Sequence, residues 1–129
     1  MTRLRFKIVL IAGLLIGQTS CAYELIDQEK LANAIYLAEG GLKAKVPYGI
    51  LSVKVKDEKE ARQVCLNTIN NNLARWQWAK QNGDKMDFIQ FLGDRYCPIG
   101  AGNDPKNLNS NWVRNVKSLY LSDSNIQTT

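Results

Sequence analysis

The chain has 129 residues, is 45% hydrophobic and carries a formal charge of +5 with no histidine. A histidine-based triad and a histidine-ligated metal site are therefore excluded, and the residues imply no metal and no cofactor. The positive balance is too small to argue for nucleic acid, although it suits an anionic polymer such as cell wall.

The first 22 residues read as a cleavable signal peptide. Arg3, Arg5 and Lys7 form a basic start, Ile8 to Ile16 is uncharged, and Ser20-Cys21-Ala22 supplies small residues at a cleavage site after Ala22. The apolar run is shorter than the ~20 residues of a spanning helix, so no permanent membrane span is expected. The alternative is a lipoprotein anchored through Cys21, although Gln18 stands three residues before that cysteine, where an aliphatic residue is usual. The protein is thus expected outside the cytoplasm, periplasmic or extracellular. Loss of the leader leaves 14 basic against 12 acidic residues, a balance of +2, on one monomeric domain. That domain is expected over 23–121, with a polar tail over 122–129. Cys65 and Cys97 remain, and an even pair in an oxidising compartment is expected to form a disulfide, contributing about 2–4 kcal/mol. A reactive thiol would lack a histidine base.

Asp27 is a helix N-cap, and Leu31, Ile35 and Ala38 recur at helical spacing until Gly40-Gly41 stops the helix after Glu39. Lys45 to Lys56 carries Val46, Ile50, Val53 and Val55, and predicts an extended segment or small hairpin around Pro47-Tyr48-Gly49. Asp57 opens the longest helix, to about Gln81, with an inward stripe of Ala61, Cys65, Ile69, Leu73 (or Asn72), Trp76 and Ala79. Asn70-Asn71-Asn72 is unusual inside it, because asparagine is a weak helix former. Trp78, two residues from Trp76, is expected on the outer face, where it could stack on a sugar. A third helix spans Met86 to Tyr96 and ends before Pro98. A long loop rich in Gly and Asn follows, and Asn111 to about Leu121 forms the last helix on Trp112, Val113, Val116, Leu119 and Tyr120. The predicted class is α+β, mostly helical, with one small β-element after the first helix.

Glu39 is the leading candidate for chemistry. It borders the apolar face of a helix end, where a half-sunk carboxyl favours its neutral form, as a general acid requires. It also stands at the unfavourable end of the helix dipole, where a purely structural acid is out of place. Two glycines after it allow close approach of a ligand. The plainer reading is a solvated helix-end glutamate.

Ala38-Glu39-Gly40-Gly41, followed by Pro47-Tyr48-Gly49-Ile50-Leu51-Ser52-Val53, resembles the lysozyme superfamily. There a helix ends on the catalytic glutamate, and a Tyr-Gly-Ile-Leu segment of a small β-region lines the sugar cleft. Phe91-Leu92-Gly93-Asp94-Arg95-Tyr96-Cys97-Pro98 and Asn103-Asp104-Pro105 are similar to stretches of glucosaminidase-like members, in which the tyrosine sits near the glutamate. The likeness extends from about Leu31 to Val116. It implies a lysozyme-like domain that cleaves peptidoglycan strands, with Glu39 catalytic and Tyr48, Gly49, Ile50, Ser52, Tyr96, Asn103 and Asp104 contacting substrate. Tyr96 could equally be a core residue, and Asn103-Asp104 a turn before Pro105.

Two departures bear on the reaction. Ser52 replaces the usual glutamine, and Pro47 stands where an aspartate would precede Tyr48. A two-carboxylate hydrolase needs a second acid about 5–9.5 Å away, and only Asp57, Asp94 and Asp104 can be nominated. A missing second acid is similar to lytic transglycosylases, which work with one catalytic acid. A muramidase or glucosaminidase using Asp104, and a silent glycan-binding or partner-binding module, are the alternatives. Family analogy adds cell-envelope machinery as a partner class.

Overall fold

The computed structural model describes residues 25–102 and 108–122. The leader expected over 1–22 with its Cys21, together with Asn103, Asp104 and the expected tail beyond Ser122, lies outside the described residues. Four helices carry the fold: α1 (Gln28–Ala38), α2 (Glu58–Gln81), α3 (Phe88–Tyr96) and α4 (Trp112–Ser122). Short 3₁₀ turns occupy Gly41–Lys43, Pro47–Gly49 and Leu108–Asn111.

Local chemistry sets the starts of three helices. The Asp27, Asp57 and Asp87 carboxylates accept from the backbone N–H of Lys30, Glu60 and Gln90 at 3.0, 2.8 and 3.1 Å. Each satisfies an amide with no partner inside its helix and contributes about 0.5–2 kcal/mol. The third helix therefore begins at Phe88, just inside Asp87, rather than at Met86.

α1 packs against α4 and α2, and α3 lies against both α2 and α4. Leu31, Ile35, Ile69, Phe88, Leu92 and Val116 are the large, fully enclosed side chains at their meeting. The inward stripe of α2 is Ala61, Cys65, Ile69, Asn72 and Trp76. A row of steps of four drifts away from a period of 3.6, and one step of three restores it. That step falls between Ile69 and Asn72, so Asn72 turns inward while Leu73 stays half-buried. Asn72 Nδ2 donates to the Thr68 carbonyl at 2.9 Å. Trp76 Nε1 donates to the Met86 carbonyl at 2.8 Å, fixing the α2–α3 connection against the core.

The expected β-element is not present among the described residues. Pro47–Gly49 forms a 3₁₀ turn, and no strand pairs with Val53–Lys56. The alternating pattern there has no neighbouring strand to take its backbone hydrogen bonds, and Leu51 and Val53 are exposed. The described residues are thus helical, with a non-regular arm between α1 and α2.

Gly93 sets the approach of α4 to α3. A Cβ at this position would stand 2.5 Å from Val113 Cγ2 and 3.2 Å from Trp112 Cε3. The missing side chain lets the first turn of α4 sit directly on α3, which places Trp112 beside Tyr96.

Candidate active site

α1 ends on Glu39, whose backbone N–H still donates to the Ile35 carbonyl at 3.0 Å. Gly40 follows in a left-handed conformation at φ 109°, turning the chain sharply away. The half-buried Glu39 side chain lies against the backbone of Gly49. A Cβ at Gly49 would stand 2.6 Å from Glu39 Cδ and Oε2. The carboxylate therefore packs on the face of a residue that must have no side chain.

A second group orients the carboxylate. Trp112 Nε1 donates to Glu39 Oε1 at 2.9 Å. The Trp112 indole is buried and stacks on the Tyr96 ring, with centroids 5.2 Å apart and planes 25° apart. The Tyr96 hydroxyl donates to the backbone carbonyl of Tyr48. Tyr48 is held at its other end by Arg62 Nη1, which donates to the phenolic oxygen at 3.0 Å. Arg62 also donates to Asn33 Oδ1 at 2.9 Å and pairs with Glu29 at 2.6 Å. Helices α1, α2, α3 and α4 thus all fasten the short turn on which the carboxylate rests.

Tyr48 itself departs from expectation. It is a non-glycine residue with positive φ, 58°, and its side chain is buried, with its ring 5.1 Å from that of Tyr36. A left-handed tyrosine costs about 1–2 kcal/mol, and the bonds to Arg62 and Tyr96 offset that cost. Its side chain supports the turn from beneath and cannot contact a ligand, so its expected role in binding is corrected.

The open side of Glu39 faces a cavity of about 320 Å³, bordered by Lys45, Val46, Leu51, Tyr96, Pro98 and Asn109. A second cavity of about 320 Å³ adjoins it, sharing Gly49, Leu51 and Tyr96, and continues past Ile50, Ser52, Val53 and Arg95. Together they form a groove. Gly49 lies at the junction, Ile50 and Ser52 line the extension, and Tyr96 borders both halves. Among the described residues lining these cavities, Glu39 is the sole carboxylate. Asp57 is committed to capping α2, and the exposed Asp94 accepts from Gln90 Nε2 at 2.9 Å. Neither lines the groove.

The expected Cys65–Cys97 disulfide is not formed. Cys65 is a fully buried thiol on the inward stripe of α2. Cys97 caps the C-terminus of α3 at the cavity edge. Burial pushes the Cys65 thiol up to about 12, and contact with the Tyr96 hydroxyl and nearby Arg62 only partly opposes it. Burial also raises the Tyr96 phenol, with the Cys65 and Glu39 charges adding in the same direction. Both groups are neutral at pH 7. Because their folded values are raised, their stabilising contribution is complete below the unfolded values and disappears as pH climbs. Stability is therefore expected to decline above pH ~9, where an unfolded thiol ionises. Cys65 should resist alkylation at pH 8 in the native protein and react after unfolding without reductant. Intact mass measured before and after denaturation checks this, and a Cys65 that labels only after reduction would contradict it.

Trp112 was legible in sequence only as a core residue. A buried indole needs an acceptor for its N–H, but the sequence does not reveal that the acceptor is Glu39, 73 positions away. Trp112→Phe keeps the ring against Tyr96 and removes the donor. A stability loss of about 1 kcal/mol is expected, read as a shift in thermal unfolding. An unchanged melting temperature would show that the indole bond contributes nothing to holding the carboxylate.

No family model, curated protein or solved structure matches the chain.

Proposed function

We propose that this protein cleaves the glycan strands of peptidoglycan as a lytic transglycosylase, with Glu39 as both acid and base. The observation that carries this reading is a single carboxyl at a helix end, held by Trp112 Nε1 and packed on a glycine, that opens onto a groove. The lysozyme-like order of motifs around Glu39 and Gly49, and the leader for export, support the same reading.

In the protonated state Glu39 delivers its proton to the glycosidic oxygen as the bond to C1 breaks, and the leaving sugar departs as an alcohol. The carboxylate so formed then removes the proton of the muramic C6 hydroxyl while that oxygen bonds to C1. A 1,6-anhydro ring closes, Glu39 is protonated again, and no water is consumed. One carboxyl suffices for both steps. Trp112 keeps it aimed, and Gly49 leaves room for it beneath the sugar.

Purified protein incubated with peptidoglycan should release soluble disaccharide-peptides, separable by reversed-phase chromatography. No release by folded protein would overturn the enzymatic reading and favour a glycan-binding module.

A further inference from the structure

On the other side of Arg95 lies a third hollow, of about 630 Å³, between α2 and α3. It is bordered by Ala74, Arg75, Trp78, Ala79, Phe91 and Arg95. Arg95 lines both this hollow and the groove extension, so the two surfaces are neighbours across that side chain. Trp78 is 68% exposed, which leaves an indole facing solvent. Its neighbour Trp76, by contrast, is enclosed and hydrogen-bonded. The Arg95 guanidinium lies 5.4 Å over the Phe91 ring. Neither Arg75 nor Arg95 forms an ion pair among the described residues.

We propose that this hollow is a second binding surface for the same strand, and that it takes a carboxylate-bearing peptide branch together with its adjoining sugar. The inference rests on the proposed function. The exposed indole offers an apolar face to the C–H face of a sugar ring. Two guanidinium groups with no ion pair among the described residues offer fork-shaped donors for carboxylates. A neutral glycan would use the indole alone. A chain carrying acidic peptides matches both features and reaches the hollow from the groove past Arg95.

The test measures binding by calorimetry in a Glu39→Gln background, where strands stay intact. Two probes are used: soluble peptidoglycan chains with their peptides, and the same chains stripped of peptide. Arg75→Gln, at a residue that borders the hollow but not the groove, is expected to weaken the peptide-bearing chain roughly threefold or more and to leave the stripped chain unchanged. Trp78→Ala should weaken both. Trp78 is largely exposed, so its removal should leave the melting temperature in place, and a melt of each variant checks folding. Unchanged binding in all variants overturns the inference, and so does an equal loss of both chains in the arginine variant. A concentration-dependent dimer that Trp78→Ala abolishes, with strand binding intact, also overturns it and assigns the surface to a second copy of the chain. Cleavage by the unsubstituted protein is scored separately. Normal cleavage beside unaltered variant binding overturns this inference alone. Absent cleavage beside the expected binding losses overturns the catalytic reading and supports the surface.

Discussion

Glu39→Gln is expected to lower the release of glycan fragments by about 10³-fold or more while leaving the fold intact. The amide has nearly the volume of the carboxyl, and its oxygen still accepts from Trp112 Nε1. What it lacks is a proton to give and a basic oxygen to take one back. General acid–base catalysis typically contributes 10²–10⁴-fold, and Glu39 serves in both steps of the proposed reaction, so the loss should lie toward the upper end. Stability should change little, because Glu39 forms none of the described ion pairs and its backbone cap bond is independent of the side chain. The check is a rate of soluble fragment release set beside a thermal melt. A variant that retains most of the activity would remove Glu39 from the mechanism.

Gly49→Ala should damage both activity and stability. Its new Cβ would meet the Glu39 carboxyl carbon at 2.6 Å, well inside the approach of real atoms. The carboxyl must swing away, which breaks the Trp112 bond, or the turn must open. Gly49 also has φ 64°, a conformation that costs an L-residue about 1–2 kcal/mol. A displacement of about 1 Å can cost 10²-fold in rate, and a loss of roughly that size is expected. The accompanying destabilisation should be about 1–3 kcal/mol. Gly83→Ala is the matched control. Gly83 has φ 93° with no atom near a Cβ, so it should share the backbone strain and spare the activity. Equal rates for the two variants would show that Gly49 acts only through its backbone.

Local signals in the sequence were enough to place the helices, because each depends on near neighbours. The aspartate caps, the glycines after Glu39 and the 3.6-residue stripes all act within a turn or two. The Trp76/Trp78 pair divided as expected, because two residues two apart on a helix cannot share a face. The arm over 44–57 was misread for the opposite reason. Alternating β-branched residues signal a strand only where a partner exists, and the described residues supply none. Asn72 was legible only as an alternative, because the phase of a 24-residue helix decides which of two adjacent residues turns inward.

Glu39, Gly49, Ile50, Ser52 and Tyr96 were singled out from the sequence, and the structure places them around one groove. Tyr48 was misassigned, because a positive φ on a tyrosine has no signature in one sequence; only the bonds from Arg62 and Tyr96 that hold it reveal its role. The disulfide was inferred from an even count, which says nothing about placement, and the inward stripe of α2 buries Cys65 instead. Trp112 and Gly93 act across long separations. A glycine inside a short helix and a tryptophan at the start of another become meaningful only when α3 and α4 are seen in contact.

The most direct test of the account is the identity of the new chain ends after peptidoglycan is incubated with the protein, read by mass spectrometry. The account predicts 1,6-anhydro-muramic ends, lighter by one water than the hydrolysed form, and their disappearance with Glu39→Gln. Reducing ends formed with water would contradict it and would require a second acid to activate that water.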